Sequence, residues 1–159
     1  MLEFMESLIE IEIDPAWIDY NGHMNVAYYV LAFDLGVDAL LDRVGMDEAY
    51  RVRSGTTTYT LEAHITYLRE LKRGERVRVA VQIIDVDAKR VHCFLTMQQV
   101  EEGFLAATME QILMHMDTAH TRGSPMAPEL LQRFEAMHQQ HRDLPVPEQL
   151  GHRIGIRRR

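Results

Sequence analysis

Along the first half of the chain, the spacing of apolar and polar positions changes twice. Residues 7–13, SLIEIEI, alternate apolar with polar or acidic side chains, the period of a half-buried strand. Residues 14–25, DPAWIDYNGHMN, hold Pro, Gly and two Asn, so the pattern breaks into a loop that ends on Asn25 as a helix N-cap. Val26, Val30, Phe33, Val37, Leu40, Leu41 and Val44 then follow helical spacing, with Asp34, Asp38 and Asp42 on another stripe. This predicts an amphipathic helix of about five turns, stopped by Gly45. At 1.5 Å per residue it is about 30 Å long, as long as a small domain is wide, and is expected to be the central core element.

After a linker at 50–55, period 2 returns and persists. Residues 56–68, 75–87, 90–100 and 104–117 read as strands, joined by Lys72-Arg73-Gly74, Ala88-Lys89 and Glu101-Glu102-Gly103. Joins this short imply antiparallel neighbours. Pro125 and Pro128 precede a second helical stretch at 129–141, and 144–159 has no clear period. One strand, one long helix and four strands describe an α+β fold, an antiparallel sheet wrapped around a long central helix. With 159 residues, a single domain over 1–159 is expected, its core at about 8–120 and a C-terminal helix and tail at 125–159.

Composition narrows the class. The chain is 47% hydrophobic and 26% charged with 9 Gly and 5 Pro, which suits a globular domain and neither a disordered nor a fibrous one. Apolar runs such as 77–84 are interrupted by Arg or Gln, far short of the ~20 apolar residues of a membrane span. The start, MLEFMESLIEIEID, is acidic and lacks the basic and apolar segments of a secretory signal. A lone cysteine, Cys93, excludes an internal disulfide and suits a reducing cytoplasm. A net charge of −7 argues against a nucleic-acid partner, and the arginines at 157–159 read as a short solvated tail.

Phosphate-loop, dinucleotide, nucleophile-elbow and HExxH signatures are absent. His138 and His141, in HQQH, read as solvated surface rather than metal ligands, and no metal is expected. The chemically dense stretch is 17–25, WIDYNGHMN, which places a carboxylate, an imidazole and two amides in a glycine-containing turn before a helix. Unpaired N–H groups at that helix start would stabilise an oxyanion. Glu62 and His64 alternate with Ala63 and so leave one face of a strand. Two readings of Glu62 stand: a second acid of the site, or an ion pair with Arg69, Arg76 or Arg78. Glu110 reads as a structural or interface ion pair.

The order D-x-N-G-H-x-N before a long helix, followed by EAHITYLREL and a G-E-R-V strand, resembles the hot-dog-fold acyl-CoA thioesterases of the 4-hydroxybenzoyl-CoA thioesterase type over about residues 8–120. The order of Asp19, Asn21 and His23 also looks like the acyl carrier protein thioesterases of plants. WIDYNGHM, YTLEAHI at 59–65, KRVH at 89–92, the run at 105–117 and GHRIGI at 151–156 are similar to one group within that family, the betainyl-CoA thioesterases of bacterial carnitine breakdown.

The resemblance implies a thioester hydrolase without cofactor, coenzyme A being part of the substrate. Asp19 would be nucleophile or general base. Asn21 and His23 would position the carboxylate or the water, and the backbone N–H near Val26 would hold the oxyanion. Lys89 and Arg90 resemble the pair that grips the coenzyme A phosphates; a solvated turn is the alternative. A trimethylammonium acyl group calls for aromatic faces, and Trp17, Tyr28 and Tyr59, with His64, are the substrate-binding candidates, whereas Tyr29 and Phe33 fit the packing stripe. A general short-chain or aromatic acyl-CoA thioesterase, a non-catalytic acyl-CoA-binding domain of the same fold and, more remotely, a dehydratase are the alternatives. The strand at 56–68 is expected to be a sheet edge that pairs with a second copy, giving a homodimer or a dimer of dimers. That pairing is expected to bring Glu62 and His64 of one chain towards Asp19 and His23 of the other.

Overall fold

A computed structural model describes residues 5–156; the arginines at 157–159 lie outside the described residues. Five strands form the body of an antiparallel sheet: β1 (Glu6–Glu12), β2 (Thr56–Tyr67), β3 (Arg76–Val86), β4 (Arg90–Gln99) and β5 (Leu105–Asp117). A two-residue β6 (Arg122–Gly123), not foreseen in the sequence, adds to β5. The helices are α1 (Val26–Arg43), α2 (Glu48–Ser54) and α3 (Pro128–His141). Among the described residues no helix is long and apolar enough to cross a membrane.

The strand order is β1-β3-β4-β5-β2. The expected strands and their limits are present, but β2 and β3 are not neighbours. The connection at 68–75 carries the chain from one edge of the sheet to its far side, and β2 pairs with β5 instead. The KRG turn that suggested a hairpin lies within this longer crossover. Strand β2 is nevertheless an edge, as the sequence predicts, and β1 is the other.

Register sorts the sheet into two faces. Val77, Val79, Val81 and Ile83 of β3 oppose Gln99, Met97, Leu95 and Cys93 of β4, and these side chains are buried. A Cβ on Gly36 of α1 would stand 2.6 Å from Val79 Cγ1, so α1 lies directly on this inner face. Tyr29, Ala32, Phe33, Gly36, Val37, Leu40 and Leu41 are its buried stripe. Val26 and Val30, expected in that stripe, are exposed instead. The buried arc is set by Tyr29 and the small residues Ala32 and Gly36, which a count of large aliphatic residues passes over.

Asn25 caps α1 as expected, its Oδ1 accepting the Ala27 N–H at 3.0 Å. The supposed linker at 50–55 is part of α2, which starts on Asp47, whose Oδ1 accepts the Tyr50 N–H at 2.8 Å. Val52 is 79% exposed, so α2 has no apolar period to betray it. Helix α3 adds Leu130, Phe134 and Met137 to the same core. His141 is buried rather than solvated: its Nδ1 accepts the Ile83 N–H at 3.0 Å, at the irregularity between Ile83 and Asp85. The tail from Leu144 to Gln149 lies over Gln82, Phe94 and Thr108 of the outer face.

Candidate active site

The turn before α1 is closed by its own backbone. Asp14 Oδ1 accepts the Ala16 N–H at 2.7 Å and starts a single 3-10 turn at Pro15–Trp17. Ile18 and Met24 then pair as a short antiparallel bridge. Between them the Gly22 N–H reaches Asp19 O, and the Asp19 N–H reaches His23 O, both at 3.0 Å. Gly22 sits at φ +80°, a conformation that side chains disfavour. Asp19 Oδ1 accepts the Asn21 N–H at 2.8 Å, so the carboxylate is fixed by its own turn.

That fold sets Asp19, Asn21 and His23 in one turn, with Val26 opening α1 three residues after His23. Of the first amides of α1, Ala27 N–H goes to Asn25 Oδ1 and Tyr28 N–H to Asn25 O at 3.0 Å. Among the described residues, no partner takes the Val26 N–H, and Val26 is 58% exposed. It is an N–H at the positive end of an 18-residue helix, which suits a developing oxyanion. Trp17 and Tyr28 stack here, centroids 5.5 Å apart and 10° from parallel.

Two residues of this region were not singled out as site residues. Tyr67 donates its hydroxyl to Val26 O at 3.4 Å and meets Tyr29 edge to face. Glu70 Oε1 lies 3.5 Å from His23 Nε2. Both arrive on β2 and the crossover after it, and Leu71 O fixes that crossover by accepting the Met24 N–H at 2.8 Å. Burial, more than any other influence, pushes the Tyr29 phenol above its ordinary value. The unexpected place of the crossover hid these contacts from the sequence.

Other candidates stand elsewhere. In the register, Glu62 and His64 oppose Ile112 and Glu110, which in turn oppose His92 and Phe94. This is the outer face, opposite α1. Glu62 is five residues before Tyr67, roughly 17 Å along the strand, so the structure does not bring it to Asp19. Its expected ion pair is absent too: Arg69 bonds Glu102 at 3.2 Å, Arg76 bonds Glu101 at 2.9 Å and Arg78 bonds Glu10 at 2.6 Å. Glu62 and His64 instead line a cavity of about 310 Å³ with His92, Glu110 and Gly151. Glu110 is the structural anchor there, as expected, pairing with His92 at 2.9 Å and accepting the Gly151 N–H at 2.6 Å. Tyr59 opposes Met114 on the same outer face, apart from Trp17 and Tyr28, so the three do not form a cage in one protomer.

Lys89 and Arg90 sit at the opposite end of the sheet from Asp19, separated by the length of β3, about 35 Å. Asp87 Oδ2 holds Arg90 through Nε at 2.8 Å and Nη2 at 2.6 Å. The guanidinium keeps the Asp87 carboxyl below the usual range, and part of its own charge is already answered. Among the described residues, no three His, Cys, Asp or Glu side chains are gathered as a metal-binding set.

The profile of the Thioesterase-like superfamily matches residues 13–134. A Pseudomonas aeruginosa PAO1 protein named betainyl-CoA thioesterase is 40% identical over 147 residues, 92% of this chain and 92% of its own length. An L-carnitine dehydrogenase/betainyl-CoA thioesterase of Rhizobium meliloti is 34% identical over 95% of this chain and 30% of that longer protein. A hypothetical protein of Staphylococcus aureus, solved in complex with CoA, superposes with TM-score 0.90 at 31% identity, covering 97% of this chain and 98% of that one. With the matched segment spanning the Asp19 turn, α1 and strands β2 to β5, the chain belongs to the thioesterase-like superfamily and carries its hot-dog fold.

Proposed function

We propose that this chain is a cytoplasmic acyl-CoA thioesterase that hydrolyses betainyl-CoA to glycine betaine and coenzyme A in carnitine breakdown. The observation that carries the reading is the Asp19 carboxylate, fixed in a closed turn that leads directly into α1, whose first N–H, that of Val26, is open. The P. aeruginosa relative's name supports the acyl group, and the CoA-bound neighbour supports the carrier.

The thioester carbonyl oxygen accepts the Val26 N–H, and the acyl carbon faces Asp19. Asp19 either draws a proton from a water that attacks, or attacks itself and is freed by water. In both routes the acyl carbon gains an oxygen from water, the C–S bond breaks and the electron pair leaves on sulfur as the coenzyme A thiolate. Water is the only co-reactant, and the reading includes no cofactor.

The working unit of the proposal is a homo-oligomer, either a dimer or a dimer of dimers. Strand β2 leaves one side of its ladder open, and Tyr59, Leu61, Tyr67 and Leu68 along it are exposed. Exposed Val26, Val30 and Leu31 of α1 add an apolar strip. Antiparallel pairing of two β2 strands sets Tyr67 of one copy towards Thr56 of the other. The second copy's Lys89 and Arg90 then lie at the end of the sheet where the first copy's Asp19 stands, which gives the coenzyme A phosphates a basic partner. Because such pairing extends the sheet without exchanging its faces, Glu62 and His64 stay on the outer face and are not part of the proposed chemistry.

Release of free thiol from betainyl-, straight-chain and aromatic acyl-CoAs tests the reading. Cys93 does not interfere with a thiol reagent, being fully buried with its thiol pushed up to about 12 by burial. Hydrolysis with the highest kcat/KM on betainyl-CoA is expected. No hydrolysis of any member would overturn the enzyme, and preference for another acyl group would overturn the substrate.

A further inference from the structure

Residues 68–75, between β2 and β3, close on the Asp19 turn. Leu71 O takes the Met24 N–H, and Glu70 reaches His23. The two acids of this segment differ in what holds them. Glu75 Oε2 accepts the Lys72 N–H at 2.7 Å and so serves the loop itself. Glu70 faces the imidazole of His23, and its side chain is 57% exposed. Its charge, with that of Glu75, also adds to the upward push on the Tyr29 phenol that burial begins.

A betainyl group carries its ammonium one carbon from the thioester carbonyl. Whatever attends that cation must therefore stand in the same shell as Asp19 and His23. Asp19 is fixed by Asn21 and faces the acyl carbon. Trp17 stacks on Tyr28 and Tyr29 meets Tyr67 edge to face, and such rings bring no full negative charge to a cation. Of the carboxylates outside the turn, Glu70 is the one placed against the imidazole of His23.

We infer that Glu70 is the specificity-determining residue for a cationic acyl group, its carboxylate answering the trimethylammonium beside the Trp17–Tyr28 pair. This rests on the thioesterase reading above and names the side chain that sets its substrate class. An exposed group supplies charge without the burial that would neutralise it.

The test compares kcat/KM for betainyl-CoA and for 3,3-dimethylbutyryl-CoA, which has the same shape without the charge, in the wild type and in Glu70→Gln and Glu70→Asp. The ratio of the two substrates is expected to fall by about twofold to fivefold in Glu70→Gln, as the loss of one solvent-screened charge implies, and to recover in part in Glu70→Asp. Equal loss on both substrates would make Glu70 a support for His23 alone and overturn the inference. A wild-type preference that survives intact in Glu70→Gln overturns it as well, while leaving the substrate assignment standing. Equal kcat/KM in the wild type itself would remove the substrate assignment and this inference together.

Discussion

Replacing Asp19 with Asn keeps the turn, because an amide oxygen accepts the Asn21 N–H as the carboxylate does, and removes the base. Glu70 and Tyr67 are untouched by the change. Hydrolysis by Asp19→Asn is expected to fall by ~10² to 10⁴ with little change in melting temperature; a loss under about tenfold would exclude the role. This residue was legible in the sequence because its chemistry is local. Asp19, Asn21 and His23 share the bonds of one short turn, and the cap at Asn25 fixes where the helix, and with it the Val26 N–H, begins. Glu70 and Tyr67 were not legible in the same way, since they reach the turn only through long-range packing. Glu62 shows where pattern stops: alternation places it with His64 on one face, but does not say which face meets the helix.

At the scale of elements, two contacts decide how α1 and α3 seat on the sheet. The Cβ of Gly36→Ala would fall 2.6 Å from Val79 Cγ1 and 3.2 Å from Val79 Cβ, on a branched and fully buried side chain with little room to give. Alanine favours a helix by up to about 1 kcal/mol over glycine, but overpacking costs about 1 to 3 kcal/mol. Gly36→Ala is therefore expected to lower the melting temperature, and Val79→Ala in the same chain to restore part of it. A higher melting temperature for the single variant would show that the helix can shift.

His141 supplies the second contact. Its Nδ1 accepts the Ile83 N–H, so its proton resides on Nε2, 3.9 Å from Glu6 Oε2. Burial lowers its pKa from the ordinary 6.5, with Glu6 opposing and His138 adding to the shift. The unfolded chain then binds this proton more readily than the folded one. Its contribution to stability is present above about pH 6.5 and is lost as the pH falls through the lowered value. His141→Asn keeps an acceptor for Ile83 without titrating. Its melting temperature should fall less steeply than that of the wild type below about pH 6.5; parallel curves would rule His141 out as the source. The sequence hid this role because HQQH reads as polar helix surface, and a backbone N–H exposed by a strand irregularity leaves no mark in composition. The short α2 escaped for a related reason, its cap on Asp47 being its main signal.

For the whole molecule, the sequence reading held at the level of fold class, where period and length suffice, and failed at strand order, where a connection of 68–75 could be either a hairpin or a crossover. Strand order is what makes β2 an edge, and the edge is what the proposed assembly uses. A solution mass of at least two protomers is expected. Replacing Leu61, on the exposed edge and outside the Asp19 turn, with Glu should shift the population towards monomer and lower hydrolysis in proportion. A wild-type protein that is monomeric and fully active at assay concentration would defeat the shared site.

The crossover at 68–75 makes chain connectivity and activity inseparable in this protein. A circular permutant opened within it would retain every ladder pairing of the order β1-β3-β4-β5-β2, since none of those pairings passes through the opened bond. It would nevertheless loosen the Leu71 acceptor that holds Met24 and the carboxylate beside His23. Openings at the turns after β3 or β4 leave that acceptor in place. Tolerance to cutting the chain should therefore be uneven around the fold, with one connection whose continuity matters for catalysis more than for folding.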